Sequence, residues 1–77
     1  MVLDLIVSKD IDGFTAFVPS IKGCESWDNN EEEAITKSIQ LLRFYLELSN
    51  NQKINIDFVR KEENRNIYKL IFDILIK

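Results

Sequence analysis

The sequence predicts an α+β domain in the order β-β-β-α-β-β, with one mainly antiparallel sheet and one helix packed on one of its faces. Three observations carry this prediction. Stretches near both ends of the 77 residues alternate apolar and polar side chains, the period of a half-buried strand. Residues 31–49 instead repeat their apolar residues with the period of an amphipathic helix. Between the first two alternating runs stands Asp12-Gly13, a hairpin signal.

The first strand runs from Val2 to Ser8, with Leu3, Leu5 and Val7 on its apolar face and Asp4 and Ser8 on the other with Val2 and Ile6. Lys9-Asp10-Ile11-Asp12-Gly13 is the turn, where Gly13 is expected to take a positive φ. The return strand is Phe14–Val18, and Pro19 ends it by removing a ladder donor. Ser20 to Gly23 is a connection, and Cys24–Trp27 reads as a short third strand.

Asn30 is placed to cap a helix, with Glu33 three residues on as its capping-box partner. Glu31, Glu32 and Glu33 complement the positive end of the helix dipole. Ile35, Ile39, Leu42 and Leu46 form an apolar stripe, widened by Ala34, Ser38, Leu41, Tyr45 and Leu48, so the helix is expected to reach about Ser49. Two strands follow: Ile54, Ile56 and Phe58 alternate with Asn55 and Asp57. After a polar turn at 61–66, Tyr68, Leu70, Phe72, Ile74 and Ile76 alternate with Lys69, Ile71, Asp73 and Leu75. The chain reads as one domain, 1–77, closing on a hairpin over about 54–76.

Composition narrows the chemistry. There is no His and only one cysteine, Cys24, so zinc clusters, Cys-His pairs and Ser-His-Asp triads are excluded. No metal or other cofactor and no catalytic residue is expected. Asp10 and Asp12 read as turn residues, because a calcium loop needs further ligands at fixed spacing. Asp4, Glu33, Asp57 and Asp73 are the residues from which a magnesium site would have to be assembled, but each has a simpler place at a helix start or on a solvent face. No apolar run is long enough to span a bilayer, and the N-terminus lacks the pattern of a signal peptide, so a cytoplasmic location with no membrane contact is expected.

The net charge of −3 is uneven. Residues 1–50 hold four Lys/Arg against nine Asp/Glu, and residues 51–77 hold six against four. The acidic first part disfavours phosphate-backbone binding and favours a basic partner. Trp27, beside Glu25 and Asp28, is the surface candidate for that contact, since aromatics are enriched at interface hot spots. Phe17, Phe44, Tyr45 and Phe58 lack the interleaved Lys and Arg of a nucleic-acid stacking platform and are expected in the core or at oligomer contacts.

Several short phrases together resemble the HicB-like antitoxin domain: Lys9-Asp10-Ile11-Asp12-Gly13-Phe14, Val18-Pro19, Gly23-Cys24 and Glu32-Glu33-Ala34. The resemblance covers about residues 2–49. It implies a reduced ribonuclease H-like sheet without nuclease activity. It also implies a role in sequestering a small basic RNA-cleaving toxin of the HicA type. Many such proteins carry a C-terminal DNA-binding module. Nothing after residue 50 reads as one here, so direct DNA binding is not expected. The alternative is a stand-alone structural domain that assembles as a homo-oligomer. For that assembly the sequence nominates the last strand, with Lys69, Ile71, Asp73 and Leu75 on a face left at a sheet edge.

Overall fold

The computed structural model describes residues 1–73. Its elements are β1 (Val2–Lys9), β2 (Phe14–Phe17), β3 (Glu25–Asp28), α1 (Glu31–Tyr45), β4 (Asn55–Glu62) and β5 (Arg65–Ile71). The strands form one sheet in the order β3-β2-β1-β5-β4, with every neighbouring pair antiparallel. The expected α+β order holds. The core is built from Leu5 and Val7 of β1, Ala16 of β2, Ala34 and Leu42 of α1, and Leu70 of β5, with Val18, Cys24 and Phe72 at its margins.

The β1–β2 turn forms where Asp12-Gly13 predicts it, but for a different reason. Gly13 does not take a positive φ. A Cβ there would lie 2.6 Å from the Asp28 carbonyl and 2.7 Å from the Trp27 ring, so the residue is glycine because β3 passes directly beside it. The positive φ belongs to Gly23, at 87°, in the connection before β3. Strand β2 stops at Phe17, and Val18 leaves the ladder to donate to the Cys24 carbonyl at 3.0 Å.

Helix α1 opens as expected at Asn30, whose side chain accepts from the Glu33 amide at 3.2 Å. The reciprocal half of the capping box is replaced: the Asn30 amide donates to Asp28 Oδ1 at 3.0 Å, not to Glu33. The deepest line of the helix is Ala34, Ser38 and Leu42, one position away from the stripe centred on Ile35 and Ile39, which are only partly buried. Small residues at 34 and 38 let the helix backbone approach the sheet closely. The helix ends at Tyr45, four residues before the expected Ser49. Leu48 N–H bonds the Arg43 carbonyl at 2.8 Å and Glu47 N–H the Phe44 carbonyl at 3.2 Å, which together make a Schellman cap. Arg43 fixes the chain beyond it, donating to the carbonyls of Ser49 at 2.9 Å and Gln52 at 2.7 Å.

The C-terminal hairpin departs most from expectation. Strands β4 and β5 extend into the polar stretch at 61–66 and leave only Glu63-Asn64 as the turn. Glu63 adopts φ 41° there. Strand β5 does not lie at a sheet edge: it sits between β1 and β4, and the edges are β3 and β4. Pairing β5 with β1 over seven residue pairs, from Val2↔Ile71 to Ser8↔Arg65, satisfies its backbone on both sides. The helix lies closest to β2 and β3, and Leu70 of β5 joins Leu42 of the helix in the core.

Candidate partner-binding surface

The register sorts the side chains into two faces. On the face opposite the helix, one cross-strand row reads Glu25, Phe17, Ile6, Ile67 and Arg60, from edge to edge. The next row toward the Asp28 end of β3 places Trp27 beside Thr15 and Ser8. Apolar side chains thus occupy the middle of this face, with an acidic residue at the β3 edge and a basic one at the β4 edge.

Glu25 and Trp27 stand two residues apart on β3 and share this open face, at an edge with no further strand beside it among the described residues. Trp27 is 49% exposed, with one side of its ring against the Gly13 position. The two are therefore brought together on one exposed face. Asp28 is not part of it, because it points to the helix side in register with Phe14. There its carboxylate meets Lys37 Nζ at 2.7 Å and accepts from the Asn30 amide. The hydrogen bond from Lys37, then that amide, hold the Asp28 carboxyl below its ordinary range. Asp28 is a helix-start clamp.

The acidic first turn of α1 also divides. Glu32 and Glu33 are exposed, but Glu31 turns inward and accepts from Asn66 Nδ2 at 2.8 Å and Tyr68 Oη at 3.3 Å. Burial, reinforced by the Glu31 charge, pushes the Tyr68 hydroxyl upward in pKa. Glu31 thereby ties the start of the helix to β5.

The residues nominated for oligomerisation separate as well. The sequence nominates Lys69 and Asp73 for the face of a last strand left at a sheet edge. Instead Lys69 pairs within the chain, with Asp4 opposite it on β1, and has Asp57 of β4 on its other side. Ile71 is 37% exposed and lies beside Val2 on the open face. Asp73 follows the end of β5 and is exposed, and Leu75 lies outside the described residues. The four carboxylates weighed as a magnesium site are not gathered either. Asp4 and Asp57 flank Lys69, while Glu33 is at the helix start and Asp73 beyond β5. Among the described residues no group of three or more Cys, Asp or Glu is placed to hold a metal ion.

Sequence reasoning missed two features. One is the polar thread of Ser26, Ser38 and Cys24 between α1 and the sheet. The signal available for it was Ser38 inside an apolar helix face. The other is the exposure and the bulge of β4, an expected strand whose eight residues are all exposed. Its signal was Val59, which breaks the alternation of Ile56 and Phe58 and proves to be the extra residue of a β-bulge.

Among the described residues no helix is long and apolar enough to cross a membrane. No family model matches the chain, and no solved structure does. The chain is similar to a UPF0150 protein of Helicobacter pylori (strain J99 / ATCC 700824), with 37% identity over 46 residues. That stretch covers 60% of this chain and 64% of the relative, so the chain matches less than two thirds of that protein's length.

Proposed function

We propose that this chain is a non-catalytic protein-binding domain of the HicB-like antitoxin type, which sequesters a small basic RNA-cleaving toxin. The observation that carries the reading is the β3 edge. It presents a half-exposed Trp27 and a free Glu25 on one face, beside a helix start whose Glu32 and Glu33 also reach solvent. A large aromatic at an unpaired strand edge supplies a desolvating anchor, and the surrounding carboxylates steer a positively charged protein toward it.

The phrases behind the resemblance support this division of labour, because they act in the scaffold and not at the surface. Gly13 lets the first turn pass β3. Cys24 is buried, with its thiol donating to the Ser38 carbonyl at 3.3 Å. Ala34 is on the deepest line of the helix. The edge and open face are left for recognition.

The experiment is co-expression with the product of the adjacent gene, where that product is small and basic. The expected result is a stable complex on gel filtration and relief of growth arrest. Separate elution of the two proteins together with unrelieved arrest overturns the reading.

A further inference from the structure

We infer that β4 is a homodimerisation edge, at which a second copy of this chain adds its own β4 antiparallel to make one sheet continuous through both molecules. The inference is independent of the toxin partner, which is assigned to the opposite edge of the sheet.

Among the described residues strand β4 has a neighbour on one side only, which leaves one row of its backbone N–H and C=O groups without a strand partner. Its apolar side chains are left exposed too: Ile56 at 42%, Phe58 at 57% and Val59 at 42%. Phe58 packs edge-to-face on Tyr68, with ring centroids 5.5 Å apart.

The occupant follows from the register. In an antiparallel pair, residues directly opposite each other must point to the same face of the sheet. Without the bulge, Asp57 and Arg60 would point to opposite faces. The bulge between Phe58 and Arg60 changes this. Asp57 pairs with Lys69 and Arg60 with Ile67, two residues apart on β5, so both lie on the open face. A two-fold axis beside the Phe58–Val59 bulge then matches every face. Asp57 meets Arg60 of the second copy, twice, while Ile56 meets Lys61 and Asn55 meets Glu62. Sliding one copy by a single residue puts paired side chains on opposite faces, and sliding it by two toward Glu62 keeps the faces but shortens the pairing and sets Asp57 against Glu62 of the second copy. The register that pairs β4 along its full length thus keeps the faces and sets opposite charges together, and this self-complementarity commits the edge to a second copy. Arg60 now pairs with Glu62 at 2.6 Å, an exposed contact that is cheap to exchange.

A charge swap tests the register. By sedimentation equilibrium the wild-type protein is expected to be a dimer at about 100 µM or below, the range in which weak homodimers are populated. Asp57→Arg and Arg60→Asp each set like charges together across the axis and should raise the dissociation constant at least about tenfold. The double variant restores opposite charges and should return to within about threefold of wild type, as coupled residues do in a double-mutant cycle. Both positions are exposed, and circular dichroism verifies the fold of each variant. A wild-type monomer, single variants that dimerise as wild type does, or a folded double variant that stays dissociated each overturns the inference. None of these outcomes bears on toxin binding at β3.

Discussion

Ser38 Oγ, on the buried line of α1, donates to the Ala16 carbonyl of β2 at 2.7 Å. It also lies 2.8 Å from Ser26 Oγ of β3, which in turn donates to the Ala34 carbonyl at 2.8 Å. Two hydroxyls thus stitch a helix to two strands where the core would otherwise be apolar. Ser38 is fully buried, so its loss leaves polar groups that water does not reach. Ser38→Ala should cost about 1–3 kcal/mol. Thermal denaturation should show this as a fall in Tm of roughly 4–8 °C per kcal/mol for a domain of this size. An unchanged Tm would show that the thread contributes only packing.

Glu47 sits at φ 54° as the residue after the helix cap, a position that normally holds glycine. An L side chain there costs roughly 1 kcal/mol. Glu47→Gly should therefore raise stability by something near that amount, even though glycine loses more entropy on folding. Chemical denaturation should show a higher midpoint with an unchanged slope. A fall in the midpoint would mean that the Glu47 side chain stabilises the cap.

This cap also shows where the sequence stops being readable. Leu46 and Leu48 continue the helical period past Tyr45, so periodicity alone carries the helix to Ser49. A Schellman cap without glycine leaves no residue-level mark. The first four elements were legible because each has local chemistry: alternation in β1, the Asp12-Gly13 turn, Pro19, and Asn30 with its acidic first turn. Which strand lies at the edge was not legible. The alternation of Tyr68, Leu70 and Phe72 describes a buried face equally well inside a sheet and at its margin, and only pairing with β1 separates the two. The same limit applies to the candidate site. Glu25 and Trp27 share a face by strand parity, which can be counted, whereas the turn of Asp28 toward Lys37 depends on where the helix begins.

The Asp28–Lys37 pair makes a pH prediction. Its folded-state pKa lies below the ordinary 3.8, so whatever the pair contributes is present above that value and lost as pH falls through the lower folded value. In Lys37→Ala the Asp28 carboxyl should titrate closer to the ordinary value, and carboxyl NMR should follow it directly. A midpoint unmoved by the substitution would assign the shift to the Asn30 amide.

Cys24 is buried, and burial raises its thiol pKa despite the opposing backbone hydrogen bond from Val18. The thiolate is the reactive form, so the folded protein should resist thiol reagents at neutral pH. Labelling with a chromogenic disulfide should be slow in buffer and fast in denaturant. Equal rates in both would show that the β3–α1 junction opens readily.

Trp27→Ala separates recognition from folding at the β3 edge. The side chain is half-exposed and contributes no residue to the buried core, so the variant should retain its circular dichroism spectrum. Truncating an aromatic hot spot costs about 2 kcal/mol or more, which is roughly a thirtyfold loss of affinity. Where the adjacent gene encodes a small basic protein, surface plasmon resonance with that protein as the probe should show the loss mainly in the dissociation rate. Glu25→Gln should behave differently, because a rim charge acts by steering. It should slow association at low salt and have little effect once added salt screens the approach. The two substitutions thus divide contact from attraction on one face of one strand. If Trp27→Ala binds the probe as wild type does while Glu25→Gln is slowed, the partner is drawn to this edge but seated elsewhere, and Trp27 is not its anchor.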